Sequence, residues 1–316
     1  MSDSLEFRIL KYIVAVAETS NFTRAAERLF LAQPSLSKQI RDLEEEIKFP
    51  IFYRGRDGVR ITHAGEMVVA YAKETLRARD ELVEMARAVH LGNVPPLRLG
   101  FSSFVSATLL QSFRDKYQAI FPGCQIQLMG GEPTYVLHRM DQRALHCALL
   151  PMPIDDSLYR VQQISESPLV VCLRSDDPIA AHAKLDIQDI AHRIKIFRDP
   201  ELHPAAHFRL SEMFEEVGIR IDLTCSAGTP SDIQWMVREG YGLALIDQAS
   251  SIEKELTTRP ITGVNWTADT AFVHHTRGDH IALPFIERSF SQYWRDAKRK
   301  NRHAEGLRPE QLRLLA

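Results

Sequence analysis

The residues best suited to chemistry lie near the N-terminus, in the stretch QPSLSKQIRDLEEE that begins at Gln33. Apolar side chains recur there at Leu36, Ile40 and Leu43, which is the spacing of one helix face. Because each residue turns about 100°, the opposite face and its flanks are polar and cationic. Such side chains at a helix start can hydrogen-bond base edges and phosphates, which predicts DNA binding. The predicted contact residues are Gln33, Pro34, Ser35, Ser37, Lys38 and Arg41.

The charges that follow this surface indicate how it would meet DNA. Residues 44–46 are all glutamate and would repel phosphate, so the N-terminal half of the helix should enter the groove. Beyond them, residues 51–53 and 59–61 suit short strands, and the Asp-Gly pair between them is a hairpin turn signal. An arginine-tipped hairpin of this kind is a wing suited to a minor groove. It predicts DNA contacts by Arg54 and Arg56.

A second group of polar residues stands where predicted strands give way to helices. Ser102 and Ser103 follow one strand, Thr134 follows the next, and Thr229 precedes a later helix. Ligands of open α/β sheets bind beyond the carboxyl ends of strands, and helix N-termini favour anions. These residues are therefore predicted to bind a small anionic effector, with Arg198 as a bidentate partner for it. The alternative, that each hydroxyl only caps its own helix, remains open.

The elements that must position the first group are helices. The N-terminal quarter shows helix after helix, and Asn21 and Thr62 are predicted to cap the helices that follow them. A long helical pattern covers residues 64–90, about 40 Å at 1.5 Å per residue. A lone helix of that length must pack on something, and its apolar stripe, which includes Val68 and Leu82, predicts a contact with a second copy of the chain.

The pattern changes after residues 91–96, LGNVPP, whose glycine and prolines end the helix and indicate a linker. From there, strands alternate with helical patterns through most of the remaining chain. That alternation predicts an α/β domain with largely parallel sheets. The predicted fold class is therefore mixed, with an all-α winged helix-turn-helix region before an α/β region.

Composition narrows the kind of protein. The net charge of −2 over 316 residues excludes a uniformly basic nucleic-acid coat, so DNA affinity must come from local patterning. No apolar run approaches a membrane span and the start of the chain does not resemble a signal peptide, which predicts a cytoplasmic protein without membrane contact. The four cysteines have neither zinc spacing nor a CxxC pair, so no metal and no cofactor are predicted.

Residues 12–66 resemble the winged helix-turn-helix of LysR-type transcriptional regulators. The likeness runs through FTRAAERL, QPSLSKQIRDLEEE and ITHAGE, and VREGYGLALI at 237–246 is similar to a later segment of that family. The resemblance implies a DNA-binding domain at 1–63, a linker and dimerisation helix at 64–92 and an effector-binding domain at 95–316.

The implied effector-binding domain is like a periplasmic binding protein, with two subdomains and the ligand between them. Subdomain I would take residues 95–166 and 268–300, and subdomain II residues 167–267. The implied partners are double-stranded DNA, a small-molecule effector, RNA polymerase, and the chain itself as a dimer or tetramer.

Three positions depart from the family pattern. Ala32 stands where a serine often caps the recognition helix. The missing serine costs about 1 kcal/mol of capping, or its role shifts to Gln33. Arg143 and His146 stand where glycine and aspartate are usual, near the entry of a strand. These two changes make it unsafe to transfer any effector chemistry from the family.

The sequence thus predicts a DNA-binding regulator that senses a small anionic metabolite and alters transcription through changed oligomer geometry. It is not predicted to be an enzyme, because GxSxG, P-loop, GxGxxG and HExxH motifs are absent from the sequence. Two alternatives stay open. One is a thiol-based redox regulator of the same architecture, and the other is an enzyme on a binding-protein fold.

Overall fold

The computed structural model describes residues 5–55, 58–154, 157–278, 280–289 and 291. The chain divides into two compact units, Met1–Asn93 and Val94–Ala316. Arg56, one of the predicted DNA contacts, lies outside the described residues.

The first unit is a helical domain with one small hairpin. Its elements are α1 Phe7–Thr19, α2 Phe22–Leu29, α3 Gln33–Ile47, β1 Phe52–Gly55, β2 Gly58–Ile61 and α4 His63–His90. The apolar stripes of the first three helices meet in one core, in which Ile13, Val16, Ala25, Leu36 and Ile40 are fully buried. The predicted caps are confirmed, since Asn21 accepts hydrogen bonds from the amides of Thr23 and Arg24 and Thr62 accepts one from Gly65.

The hairpin and the long helix meet at a glycine. Strands β1 and β2 pair antiparallel, with Phe52 opposite Ile61. A Cβ on Gly65, in the first turn of α4, would lie 2.1 Å from the backbone oxygen of Ile51. Because no real Cβ tolerates that distance, only glycine lets α4 approach the base of the hairpin this closely.

The second unit contains a large mixed sheet. Its first elements are β3 Leu97–Phe101, α5 Ala107–Ile120, β4 Ile126–Gly130, α6 Pro133–Asp141, β5 Cys147–Pro151 and β6 Tyr159–Arg174. Then follow β7 Leu185–Asp186, α7 Ile187–Ile190, β8 Ile194–Arg198, α8 Pro204–Glu215, β9 Cys225–Ala227, α9 Pro230–Arg238, β10 Leu243–Asp247, β11 Leu256–Thr262 and β12 Thr267–His275. The main strand order is β4-β3-β5-β12-β6-β10-β8-β9.

Strand β6 serves both halves of this unit. Its first part pairs with β12, and residues from Leu169 onward pair with β10 and β11. Strands β3, β4 and β5 run parallel in one half, as β8, β9 and β10 do in the other. The predicted largely parallel sheet is therefore wrong at the centre, where β6 and β12 pair antiparallel because they link the halves in opposite directions.

Membrane spanning finds no support in these elements. None of the described helices combines the length and the apolar character that crossing a membrane requires.

Candidate functional site

The outer face of α3 is free, as the sequence predicted. Gln33, Pro34, Ser35, Lys38 and Arg41 are exposed and Ser37 is half-buried, whereas Leu36, Ile40 and Leu43 on the other face are buried. Within the described residues, no ion pair holds Lys38 or Arg41. The two cations are therefore available to a phosphate or a base edge.

The start of α3 lacks a side-chain cap. Ala32 supplies none, and Gln33 does not take over the role. The backbone oxygen of Ala32 instead accepts the amides of Ser35 and Leu36, at 3.0 and 3.2 Å. Pro34 has no amide to leave unpaired, so fewer orphan donors remain for a phosphate than the sequence suggested.

Arg54 is tied to its own domain. Its guanidinium lies 3.1 Å from Glu44 Oε2, 3.2 Å from Ser37 Oγ and 4.9 Å from the centre of the Phe22 ring. Glu44 in turn accepts the amides of Ile51 and Phe52 through Oε1, at 2.8 and 3.0 Å. The sequence predicts a free repulsive charge at Glu44, but the structure shows that Glu44 holds the hairpin to α3.

We expect Glu44→Ala to lower the free energy of unfolding by about 2 kcal/mol, because charge-assisted hydrogen bonds to two amides and an arginine are lost. Glu45→Ala is the matched control, since Glu45 is exposed and makes none of these contacts; its effect should stay within about 0.5 kcal/mol. Urea denaturation of both variants measures the difference. Equal stability of the two variants would contradict the role of Glu44.

The predicted effector residues stand at carboxyl ends of strands in the second unit. Ser102 and Ser103 follow β3, Thr134 lies in the first turn of α6 after β4, Arg198 ends β8, and Thr229 follows β9. The loops after β3 and β4 come from one half and those after β8 and β9 from the other. The structure brings these loops together where the two halves meet, a place called the cleft below, and the contacts are made by other side chains than the predicted hydroxyls.

The predicted hydroxyls differ in availability. Thr229 is committed to a capping box, because its Oγ1 lies 2.8 Å from Asp232 Oδ2 and 3.2 Å from the Asp232 amide. Ser102 is fully buried and accepts the amide of Phe104 at 3.3 Å. Ser103 and Thr134 are exposed, and neither hydroxyl has a partner within the described residues. The capping alternative therefore holds for Thr229, and the other two keep free hydroxyls.

Phe104, Glu132 and His203 join the two halves. The Nε2 atom of His203 lies 2.8 Å from Glu132 Oε2 and 3.1 Å from the backbone oxygen of Gly228. The Phe104 ring is 4.9 Å from the His203 ring and 4.1 Å from the guanidinium carbon of Arg198. His203 is only 2% exposed, so it is a buried residue of this contact. The one available signal was a polar residue before a proline that opens a helix, as in Glu132-Pro133 and His203-Pro204.

Burial dominates the electrostatics of the cleft. It lowers the pKa of Arg198 to about 10, although the charges of Asp247 and Glu132 act in the opposite direction. Burial also lowers the pKa of His203, against the hydrogen bond to Gly228 and the charge of Glu132. Arg198 therefore stays cationic at neutral pH, whereas His203 is neutral there.

The titration of His203 should make the folded chain less stable as the pH falls. Its pKa in the folded chain lies below the ordinary 6.5, so the unfolded chain binds this proton more readily. The stabilisation is complete above pH 6.5 and is lost as the pH falls through the lower folded value. We expect His203→Gln to flatten the decline of the melting temperature between pH 8 and 5, and the exposed control His192→Gln to leave it unchanged. Parallel curves for His203→Gln and the parent would contradict this.

The four cysteines are free thiols. Pairing runs from Cys172 through Ala244 and Ile196 to Cys225, three strand spacings or about 14 Å, beyond the reach of a disulfide. Burial raises the pKa of Cys172 to about 12 and also raises the pKa of Cys124 and of Cys147. Thiols with raised pKa values carry little thiolate and react slowly with peroxide, which disfavours Cys124, Cys147 and Cys172 as redox sensors.

Among the residues that the structure describes, no group of three or more His, Cys, Asp or Glu side chains is placed to hold a metal ion.

Comparison with known proteins identifies the family. The helix-turn-helix of bacterial regulatory proteins of the lysR family matches residues 7–66, and the LysR substrate binding domain matches residues 92–311. The chain belongs to the LysR family of transcriptional regulators. It is therefore a DNA-binding regulator with an effector-binding domain.

Individual relatives agree with this assignment. The chain is 29% identical over 251 residues to the regulator BudR of Raoultella terrigena, covering 78% of this chain and 85% of BudR. It is 25% identical over 246 residues to AlsR of Bacillus subtilis, covering 78% and 82%. Among solved structures, full-length BenM gives a TM-score of 0.55 at 21% identity, over 93% of this chain and 98% of BenM. CbnR in complex with its target DNA gives 0.54 at 17% identity, over 92% and 99%.

The departures from the LysR pattern have local explanations. Arg143 has a φ of 60°, the left-handed conformation that favours the usual glycine, and its guanidinium donates to the backbone oxygen of Arg277 at 2.9 Å. His146 Nδ1 accepts the amide of Arg98 at 3.0 Å, as an aspartate oxygen would. Both residues therefore maintain the strand entry, at the end of the sheet opposite the cleft.

Proposed function

We propose that this LysR-type regulator binds operator DNA through α3 and a small carboxylate effector in the cleft of its second unit. The observation that carries the effector part is Arg198. Its guanidinium stacks on Phe104 at the carboxyl end of β8 and makes no hydrogen bond to any residue that the structure describes. A partly buried cation with unused donors in a fixed fork suits a carboxylate. Ser103 and Thr134 offer free hydroxyls at neighbouring strand ends.

The effector would act by binding rather than by catalysis. Because the loops of the cleft come from both halves of the unit, a ligand there contacts groups whose spacing changes if the halves move. A ligand shifts such an equilibrium only through different affinities for the two arrangements. We propose that this difference alters the oligomer on DNA and its contact with RNA polymerase, in the cytoplasm where the operator is.

Self-association would use α4. Gly65, Val69 and Ala72 form its buried face. Tyr71 and Leu82 are 58% and 53% exposed and share another face with the exposed Met67, and a group of exposed apolar side chains on one face favours a contact surface. Val68, which the sequence placed on the dimer stripe, is partly buried against the core of its own domain. We therefore propose a dimer contact through Met67, Tyr71 and Leu82 rather than through Val68.

We expect Ser103→Ala and Thr134→Val to weaken the response to effector while keeping DNA affinity, because their hydroxyls lie in the second unit and α3 in the first. Loss of one ligand hydrogen bond should weaken effector binding by about 1 kcal/mol, or roughly fivefold. A panel of small carboxylates, screened by thermal shift, supplies the effector. Gel shift and a reporter assay then measure each variant with it.

Thr224→Val is the matched control for these variants, since Thr224 precedes β9 at the other end of the sheet. Wild-type sensitivity in both cleft variants would show that the effector binds elsewhere. A response to peroxide in place of carboxylates, with oxidation of cysteine seen by mass spectrometry, would instead support the redox alternative.

A further inference from the structure

The cleft does not have the charge of a simple anion site. Of the cleft residues with a pKa shift, Arg198 is the cation. Asp247 and Glu132 are the two carboxylates whose charges act on it. Asp247 ends β10, next to β8, and therefore stands at the same sheet edge as Arg198. Since His203 is neutral at pH 7, these four side chains together carry a charge of about −1.

Glu132 is incompletely satisfied. Its Oε2 atom is buried and makes no hydrogen bond within the described residues. His203 Nε2 is 2.8 Å away, but a carbonyl only accepts, so the hydrogen bond to the Gly228 oxygen takes the Nε2 proton. The other ring nitrogen of His203, Nδ1, is likewise buried and without a partner. Buried polar atoms without partners are costly, which suggests groups that a ligand completes.

Asp247 is better satisfied than Glu132. Its Oδ1 accepts the amide of Ala249 at 2.7 Å and the hydroxyl of Ser167. The other oxygen, Oδ2, has no hydrogen bond to the described part of the chain. An arriving carboxylate would thus be attracted by one cation and repelled by two carboxylates in a partly desolvated site, where such terms are larger than in water.

We propose that the effector is a small zwitterion of the amino-acid type, whose carboxylate binds Arg198 and whose ammonium binds Glu132, with Asp247 completing the negative side. Such a molecule supplies acceptors for the unused donors of Arg198 and donors for Glu132 Oε2. It also leaves the charge of the cleft unchanged, whereas a plain carboxylate would add to it. This inference rests on the proposed function, namely that the cleft binds a carboxylate effector.

The test compares matched ligands on the full-length protein. The common amino acids are screened by thermal shift, and the affinity of each that binds is measured by calorimetry. The same is done for its analogue without the ammonium, such as propionate for alanine, and for its analogue without the carboxylate, such as ethylamine. We expect at least one amino acid to bind, and both of its analogues to bind at least about tenfold more weakly.

Glu132→Gln separates a ligand contact from a structural role. The amide keeps the shape of the side chain but removes its charge. We expect the amino acid to bind at least about tenfold more weakly to this variant and the carboxylate analogue to bind more tightly, because a repulsion is gone. General damage to the cleft would weaken both ligands. Glu201→Gln, an exposed carboxylate that contacts neither Arg198 nor His203, is the control and should change neither affinity.

The outcomes distinguish the two proposals. If a carboxylate analogue binds as tightly as its amino acid, the zwitterion is wrong and the carboxylate effector stands. If Glu132→Gln weakens both ligands equally, or neither, Glu132 does not bind the ammonium and the inference is overturned. If no amino acid binds but another carboxylate of the panel does, only the inference fails; if none of them binds, the proposed effector cleft fails as well.

Discussion

Alanine at Lys38 or Arg41 is expected to weaken operator binding without changing the fold. Both side chains are exposed on α3, opposite the buried residues Leu36 and Ile40, and no ion pair within the described residues engages them. A lost base contact should cost about 1–3 kcal/mol of discrimination between operator and unrelated DNA. A lost phosphate contact should weaken both DNAs alike and reduce the salt slope of binding by about one. Fluorescence anisotropy at several salt concentrations separates the two cases.

Lys11→Ala is the matched control for these variants. Lys11 is an exposed lysine of the same domain, but it lies on α1 rather than on α3. Its replacement should leave affinity and salt slope unchanged. If both α3 variants kept wild-type affinity and a normal circular dichroism spectrum, this face of α3 would not be the DNA-binding surface.

Leu82→Glu is expected to break the dimer. In a twofold contact the substitution occurs twice, so the burial of two leucine side chains is lost, about 3–6 kcal/mol in total. Dimer dissociation should therefore become easier by at least about 100-fold. The affinity for an operator with two half-sites should also decrease, because a single subunit contacts only one half-site. Analytical ultracentrifugation and anisotropy measure the two effects.

Val83→Glu provides the control on the same helix. Val83 is also a large exposed apolar residue, at 48%, but one residue turns the helix by about 100° and places it on a different face. This variant should remain dimeric. A Leu82→Glu protein that is fully dimeric at low micromolar concentration would require a different contact surface.

Local features of the sequence were sufficient for the first unit. Asn21 and Thr62 act as caps on amides two or three residues away, and the stripe of α3 is a matter of helical spacing. Glu44 is the exception. Its partners Ile51 and Phe52 lie seven and eight residues on, across a turn that no periodicity describes.

The cleft was less predictable, because its defining contacts are distant in sequence. Strand ends and helix starts indicated Ser103, Thr134 and Arg198 from short segments. The contact of His203 with Glu132 joins residues far apart along the chain, and it depends on how the two halves meet around β6. The sequence also did not reveal which hydroxyls are free. The partner of Thr229 is Asp232, and the sequence pattern fits Asp232 equally well as an ordinary helix residue without that contact.

The close approach at Gly65 has a consequence for building hybrid regulators. The first turn of α4 contacts the backbone of Ile51, so a junction at residues 61–64 would pair one parent's helix with another parent's hairpin. If the second parent had a side chain in place of Gly65, its Cβ would lie 2.1 Å from the backbone oxygen of Ile51. A junction after α4, near the boundary between Asn93 and Val94, keeps hairpin and helix from one parent. Promoter specificity should therefore be exchangeable between relatives when the DNA-binding domain and the whole of α4 are transferred together.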